Sequence, residues 1–531
     1  MNKSEKYIIA DLGVIREKGV NYFLDSHPWP VNDSEYHEFV ECVTNDYSQR
    51  LLDCSDEVLF DISLVEMAFV SNLLHIMHYN FATEFCKENG IRFDSSEESN
   101  IFLHPNWTDI GNFYVNSDFP HGKSIRFIRR LVKNYVFNRH SSIFNFFKWI
   151  FKRSNVIGIG SFDSIKKEYI NKQEKFCDHI DWPDLVDKSR LLFNKRKKNS
   201  EEVEEFTIKA LEKIVYPFIK YLKDYDSKFT KSIDFESILY AWERRFKDAY
   251  IIYSGLKLLK IPEKLLVTEV GKPFHKIISM SFSRSGSKVL SFSHGSDSAL
   301  LNQKWLNQVL ISHCNFYILE TDEMCERFKR VGKNRALERK TLTQYLSLNS
   351  DFYLSLRNQY VEHPNKTDSI MVMGYPMNLY RNYDEAFMFF HYKLTLEYSL
   401  MDLLSKAGYS VIYKAHPDRV AEISGIIDEV VENIIIEPFE SVWKEAGVLI
   451  FTYVSTTTFC YALNLPIPIV LIEHKDTPWN KGMRDVIEDR IEIVPADIVE
   501  GRVQIDSRVL LNAIETAKRK VNMDVAKKVT G

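Results

Sequence analysis

The chain has few cysteines, and no two of them form a Cys-x-x-Cys pair. Seven cysteines are spread over 531 residues, at positions 42, 54, 86, 177, 314, 325 and 460. Structural zinc sites usually place two cysteines two to four residues apart, so this spacing predicts no zinc site. Scattered thiols are typical of proteins in a reducing compartment, and we expect free cysteines and no bound metal.

Long apolar runs and a secretion signal are also missing. No run reaches about 18 apolar residues, the length that a membrane-spanning helix requires. The first nine residues are charged and contain no apolar signal core. The sequence therefore predicts a cytoplasmic protein without a membrane span, although a peripheral contact with a membrane stays open.

An excess of charge of either sign is the third absence. The formal net charge is −4, so the chain has no global basic field and is not expected to bind nucleic acid. Hydrophobic residues make up 45% and charged residues 27%, which is ordinary for a globular protein. A chain of 531 residues is too long for one core, so we expect two domains.

Strand and helix patterns alternate along much of the chain, which predicts parallel sheets covered by helices on both faces. The first such pattern is a strand at 58–62, a helix at 64–88 and a strand at 91–93. The highly charged stretch 188–260 predicts a helical insertion. A polar stretch at 332–367 predicts a domain linker, and the last helix is expected at 507–521.

Two loops about forty residues apart carry the clearest chemical signal. Residues 410–414 and 448–451 are predicted strands that end in Lys414-Ala415-His416-Pro417 and in Ser455-Thr456-Thr457-Thr458. A helix start favours an anion, and hydroxyl and imidazole groups add hydrogen bonds to it. Each loop also has a plain structural interpretation, as a surface turn or as a helix N-cap. Their succession in one alternating domain favours a phosphate pocket at the carboxyl edge of a sheet.

Two domains of alternating strands and helices, with such a pocket in the second domain, resemble GT-B glycosyltransferases, whose two Rossmann-like domains face a cleft. The resemblance covers about residues 260–475. It is carried by the block 265–295, the Gly374-Tyr375-Pro376 turn, the His-Pro motif at 416–417 and the Ser/Thr motif at 455–458. It implies an acceptor-binding domain at 1–340, a donor-binding domain at 366–505, and a C-terminal helix at 506–531 that packs back on the first domain.

The pairing of these motifs resembles bacterial transferases of capsule and lipopolysaccharide synthesis that use CMP-activated Kdo, sialic acids and other nonulosonic acids. The resemblance implies that the donor-binding residues are Gly374, Lys414, His416, Pro417, Ser455, Thr456 and Thr457. It implies transfer of the sugar to a surface polysaccharide or a lipid-linked glycan, with no metal or other cofactor. The motifs also resemble CDP-glycerol glycerophosphotransferases, so transfer of an alditol phosphate is an alternative. A non-catalytic GT-B scaffold protein is another.

Two residues at predicted strand ends of the first domain are candidates for catalysis. Glu269 ends the predicted strand 264–269, and related CMP-sugar transferases often carry an acidic residue before a glycine there; here Val270 precedes Gly271. A carboxylate facing the cleft would deprotonate an acceptor hydroxyl. His294 follows the next strand and is the alternative base. Each also has a structural interpretation, as a helix cap and as a hydrogen-bonded histidine.

The segment from Gly122 to Ser154 is basic and aromatic. It contains nine lysines and arginines, interspersed with phenylalanines and a tryptophan, and no acidic residue. Such a surface suits contact with an anionic bilayer, where lipid-linked acceptors are found. An amphipathic helix with an apolar inner face is the structural alternative.

Overall fold

The computed structural model describes most of the chain outside one long internal stretch. It covers residues 6–96, 155–161, 163–174, 177–196, 199–225, 227–231, 233–268, 273–293, 299–333, 336–358, 369–375, 389–416, 420–428, 430–431 and 433–531.

The described N-terminal segment is largely helical. A short parallel pair of strands, β1 and β2, brackets five helices. The elements are β1 (Tyr7–Ile9), α1 (Leu12–Lys18), α2 (Val20–Leu24), α3 (Asp33–Asp53), α4 (Glu57–Val65), α5 (Met67–Asn89) and β2 (Arg92–Asp94). The predicted strand at 58–62 is wrong, because these residues lie in α4. Asp61 of α4 accepts hydrogen bonds from Tyr253 at 2.6 Å and from Arg284 at 3.0 Å, which ties the helix to its neighbours.

The first sheet has six strands, all parallel. They are β3 (Val156–Ile159), β4 (Asp178–His179), β5 (Lys264–Val267), β6 (Lys288–Phe292), β7 (Phe316–Leu319) and β8 (Gln344–Ser347). Their order is β4-β3-β5-β6-β7-β8. Leu265 and Leu266 point to opposite faces and are both fully buried, as expected for a strand covered on both sides.

We call this sheet, its helices and helices α3 to α5 the first lobe. The helices that accompany the sheet lie mostly between consecutive strands. They are α6 (Ser164–Tyr169), α7 (Trp182–Asn194), α8 (Asn199–Ala210), α9 (Tyr216–Asp224), α10 (Phe235–Leu256), α11 (Pro273–Arg284), α12 (Lys304–Ile311), α13 (Asp322–Gly332), α14 (Ala336–Thr341) and α15 (Phe352–Arg357). Two π-helical turns, Ile170–Glu174 and Leu211–Val215, follow α6 and α8. Within the predicted linker 332–367, the structure forms α14, β8 and α15 instead of a plain linker.

The second sheet has seven strands and, with its helices, forms the second lobe. The strands are β9 (Ser369–Met373), β10 (Ser410–Lys414), β11 (Asn433–Ile435), β12 (Val448–Phe451), β13 (Ile469–His474), β14 (Glu492–Val499) and β15 (Arg502–Ile505). Their order is β11-β10-β9-β12-β13-β14-β15, parallel except for the antiparallel pair β14 and β15. The prediction of a mixed α/β protein with parallel sheets is thus confirmed.

Helices also connect the strands of the second lobe. They are α16 (Phe390–Lys406), α17 (Val420–Ile423), α18 (Phe439–Val442), α19 (Thr457–Leu463), α20 (Met483–Glu488), α21 (Ser507–Ala517) and α22 (Met523–Thr530), with a 3-10 turn at Trp443–Glu445. The helix predicted at 507–521 is α21, which ends at Ala517, and a further helix, α22, follows it.

Both ends of the chain cross to the opposite lobe. Ile9, Val14 and Phe23 join the core of the second sheet, and the Tyr392 hydroxyl donates to the carbonyl of Val31 at 2.6 Å. In return, Arg327 of α13 donates to the Lys528 carbonyl of α22 at 3.2 Å. The C-terminal crossing agrees with the expectation that residues 506–531 pack on the first domain, whereas the predicted range 1–340 does not anticipate the N-terminal crossing.

Among the described residues, no single helix is long and apolar enough to cross a membrane. Helices α4 and α5 meet the criteria of length and composition only as a pair, with a bend of 42° between them. Most of α4 is buried within the first lobe, together with about half of α5.

Candidate functional site

The carboxyl edge of the second sheet brings the ends of β9, β10 and β12 together. Counted along the chain from β9, the six parallel strands have the spatial order third, second, first, fourth, fifth, sixth. This order reverses direction between β9 and β12. Ligands of open α/β sheets bind in the crevice outside the carboxyl ends of the strands at such a point.

The two predicted loops lie on either side of this reversal. The His416 loop follows β10 and the Ser455 turn follows β12, and both strands pair with β9. Strands β10 and β12 are two inter-strand spacings apart, roughly 9–10 Å. His416 and Ser455 are both half-buried. A ligand that contacts both side chains therefore has to span the exit of β9.

Lys414 is buried at the end of β10. Its ammonium donates to the carbonyl oxygen of Ala415. Burial lowers the pKa of Lys414, and the nearby carboxylates Glu440 and Glu437 act against this shift. These contacts are those of a structural lysine at the exit of β10, and its predicted role in donor binding stays a prediction.

The hydroxyl turn after β12 divides its roles among three residues. Thr456 caps α19, since its Oγ1 accepts the backbone N–H of Phe459 at 3.0 Å. That bond uses the oxygen as acceptor, so the hydroxyl proton is available for another partner. The Ser455 hydroxyl donates to the side-chain oxygen of Gln303 at 3.2 Å. Thr457, the first residue of α19, is exposed.

Gly374, at the exit of β9, is explained by packing. A Cβ at this position would lie 2.4 Å from the ring of Tyr413 on the neighbouring strand. The next residue, Tyr375, packs against Tyr453 with a centroid distance of 4.8 Å. Two aromatic rings thus line the point where the strand order reverses, and the predicted contact of Gly374 with the donor stays a prediction.

A buried ion pair that was not predicted from the sequence lies beneath these rings. Lys393 and Glu397 are one turn apart on α16, with 3.5 Å between Nζ and Oε1. The Lys393 ammonium lies 4.7 Å from the ring centroid of Tyr375, and Glu397 accepts a hydrogen bond from the Tyr413 hydroxyl at 2.9 Å. Burial raises the pKa of Glu397, while Lys393 lowers it. The i,i+4 spacing of opposite charges was the available signal.

The first lobe reaches this edge through the residues before α12. Gln303 donates to the Tyr453 hydroxyl at 3.1 Å and accepts from Ser455. Just before it, Asn480 of the second lobe donates its side-chain amide to the carbonyls of Ala299 at 2.7 Å and Leu301 at 2.9 Å. The two lobes are therefore hydrogen-bonded directly beside the candidate site.

A small cavity lies between the ends of β12 and β13. It has a volume of ≈ 20 Å³ and is lined by Leu301, Thr452, Tyr453, Val454, Leu471, Ile472, Glu473, His474, Thr477 and Pro478. That volume holds about one water molecule. Arg484 and Trp479 both bond the Glu473 carboxylate, which keeps this wall in place.

Several predicted residues lie outside the described part of the chain. They are the catalytic candidates Glu269 and His294, the donor candidate Pro417, and the basic segment from Gly122 to Ser154. Thr268, the residue before Glu269, is described and donates to the carbonyl of Ser161 at 2.7 Å.

Within the described residues, no group of three or more histidine, cysteine, aspartate or glutamate side chains is arranged to hold a metal ion. The chain matches no protein-family model and no curated protein. The geometry of the second lobe is accordingly the main structural guide to function.

Proposed function

We propose that this protein is a GT-B glycosyltransferase that moves a Kdo-like or other nonulosonic sugar from a CMP donor to a surface polysaccharide or a lipid-linked glycan. The observation that supports this is the strand order of the second sheet, with an imidazole loop and a hydroxyl turn on either side of its reversal. Ligands of sheets with this order bind at that place.

The reacting bond joins the anomeric carbon of the sugar to a phosphate oxygen of CMP. As the bond breaks, negative charge grows on the phosphate, and donors aimed at that charge lower the barrier. His416 would supply a charge-assisted hydrogen bond, and the hydroxyl protons of Ser455 and Thr456 would supply two more. Removal of one such donor typically lowers turnover by about 10²–10³-fold.

The acceptor hydroxyl would be activated from the first lobe. Glu269 and His294 follow β5 and β6 in the chain, and these two strands are paired neighbours. Either side chain would serve as the general base. Where the acceptor is a lipid-linked glycan, the basic segment from Gly122 to Ser154 would bring the enzyme to the membrane surface.

Isothermal titration calorimetry with CMP, CDP, UDP and GDP tests the donor assignment. We expect binding of CMP that His416→Ala weakens. His37→Ala, which replaces another half-buried histidine on α3, is the matched control and should bind CMP normally. Binding of UDP with none of either cytidine nucleotide would reject the donor, and unchanged CMP binding by His416→Ala would reject the site.

Product analysis separates the alternatives. A glycosyltransferase leaves free CMP and a product without added phosphate, whereas an alditol-phosphate transferase adds phosphate to its product. Nucleotide binding without transfer to any acceptor would favour the scaffold interpretation.

A further inference from the structure

We infer that Gln303 occupies the place of a donor phosphate oxygen, and that the donor has to displace it to reach Ser455. This inference rests on the proposed function of Ser455 as a phosphate ligand. A serine hydroxyl has one proton to donate. In the structure that proton points to the Gln303 side-chain oxygen at 3.2 Å, so it is not available to a phosphate at the same time.

Gln303 is built into this position. Its side chain is 3% exposed although the residue is polar. The amide nitrogen donates to the Tyr453 hydroxyl at 3.1 Å, which orients the amide so that its oxygen faces Ser455. Both partners belong to the turn after β12, whereas Gln303 belongs to the first lobe.

The backbone beside Gln303 is fixed independently of that amide. The backbone N–H of Asn302 donates to the Pro478 carbonyl at 2.6 Å, and the N–H of Asn480 donates to Leu300 at 2.9 Å. Asn480 also binds two carbonyls of the same segment through its side chain. Because these bonds do not involve Ser455, the Gln303 side chain can lose its bond to Ser455 while the segment stays in place.

Replacement of the Gln303 oxygen by phosphate as the acceptor of the Ser455 proton is energetically favourable. A hydrogen bond to a charged phosphate is roughly twice as strong as one between neutral groups, so phosphate wins the Ser455 proton. The bond to Gln303 must be broken first, and this lowers the apparent affinity for the donor. Gln303 is thus a positioning residue that holds Ser455 ready and ties donor binding to a contact between the lobes.

Substitutions at Gln303 of opposite chemistry test this inference, with CMP as the probe in calorimetry. Gln303→Leu removes the competing acceptor, and we expect CMP to bind about 5-fold more tightly, the equivalent of one net hydrogen bond. Gln303→Glu supplies a stronger, charged acceptor that also repels phosphate, and we expect binding at least about 10-fold weaker. A purely structural role predicts weaker binding for both.

The decisive measurement repeats Gln303→Leu in a Ser455→Ala background. If Gln303 acts through the serine hydroxyl, the gain in CMP affinity disappears there. Gln308→Leu is the matched control, because Gln308 accepts a hydrogen bond from Ser48 at the same distance, 3.2 Å, on α12. It should leave CMP affinity unchanged.

The outcomes separate this inference from the proposed function. Tighter binding by Gln303→Leu that depends on Ser455 supports it. Equal or weaker binding, or a gain that persists without Ser455, overturns it and leaves the donor site standing. Absence of CMP binding by the unmodified protein overturns both. Should Gln303→Leu fail to fold, Gln303→Asn shortens the amide, and the same gain is expected from it.

Discussion

Each sheet carries a polar turn where its strand order reverses, and the two turns differ in where their polar groups are directed. In the first sheet, the polar groups of the turn after β3 form hydrogen bonds with residues of the same lobe. The buried Lys166 ammonium donates to the carbonyls of Ile159 at 2.8 Å and Ser161 at 3.2 Å. The Ser161 hydroxyl donates to Asp163 at 2.7 Å, within the same turn.

In the second sheet the corresponding hydroxyl bonds across the lobes. Ser455 donates to Gln303 of the first lobe, whereas both partners of the Ser161 hydroxyl, Asp163 and Thr268, lie in the same lobe as Ser161. A glycine- and serine-containing turn at a reversal is therefore insufficient evidence for a phosphate site. What distinguishes the second turn is that its donor is held by a partner that a ligand can replace.

The largest expected effect is on the stability of the protein, through the tightly packed turn after β3. Gly160 has a positive φ of 81°, and a Cβ there would lie 2.5 Å from the carbonyl oxygen of Thr268. We expect Gly160→Ala to lower the free energy of unfolding by about 3 kcal/mol, from backbone strain and overpacking together. Urea unfolding followed by tryptophan fluorescence measures it. Gly286→Ala, with a φ of 97° but open space around the Cβ, is the control and should lose less. Equal losses would contradict the close contact.

Loss of the ammonium beneath the first turn should affect stability alone. Lys166→Met leaves the carbonyls of Ile159 and Ser161 without their buried donor, and we expect unfolding to become easier by about 2 kcal/mol. CMP affinity should not change, because the turn is not part of the donor site. Lys167→Met replaces the exposed neighbour and should affect neither quantity. A marked loss of CMP binding by Lys166→Met would mean that the first turn contacts the nucleotide.

Ser455→Ala should show the reverse pattern. We expect CMP to bind about 5-fold more weakly, since the bond to phosphate exceeds the bond to Gln303 by about 1 kcal/mol. Stability should change little because the site is only half-buried. Ser161→Ala is the matched serine of the first sheet, and its CMP affinity should equal that of the unmodified protein. Equal affinities for both serine variants would remove the proposed distinction between the turns.

The smallest expected effect is a pH dependence from Lys414. Its pKa is lowered below 10.5 by burial, so the unfolded chain holds the proton more tightly than the native protein. The free energy of unfolding therefore rises with pH between the lowered pKa and about 10.5, and it reaches its lower plateau below that window. Lys414→Met should flatten the curve over this range in urea unfolding at several pH values. Lys481→Met, at an exposed position, should leave the pH dependence unchanged. If the curve of Lys414→Met runs parallel to that of the unmodified protein, Lys414 is not the cause of the pH dependence.

Elements with strong local signals were predicted well. The strands β5, β10 and β12 lie where apolar runs predicted them. Gly90 and Gly408 follow α5 and α16 with φ values of 63° and 86°. A left-handed residue after a helix is a local requirement that glycine meets, so no distant contact is needed to predict it.

Elements whose sequences lack a clear hydrophobic period were predicted wrongly. The apolar run 58–62 fits a buried strand or a buried helix equally, and packing against α10 and α11 decides for a helix. Strand β8 escaped notice because Gln344 and Leu346 are exposed and only Tyr345 is buried, the pattern of an edge strand. Its strand conformation depends on pairing with β7.

The site shows the same division. His416 and Ser455 are predicted as ligands because each follows a predicted strand, a feature of the local sequence. Gln303 and Lys393 were missed. Gln303 is 152 residues from Ser455, and no pattern in a short window reports such a contact.

The sequence by itself determined the α/β class, strands β10 and β12 of the second sheet and the two loops that carry the proposed donor ligands, because these follow from apolar runs and turn residues within short windows. Only the tertiary structure decided the order of the strands, the packing of the N-terminal residues on the second sheet and the contact of Gln303 with Ser455. These depend on which distant surfaces bury one another best, a property of the whole chain.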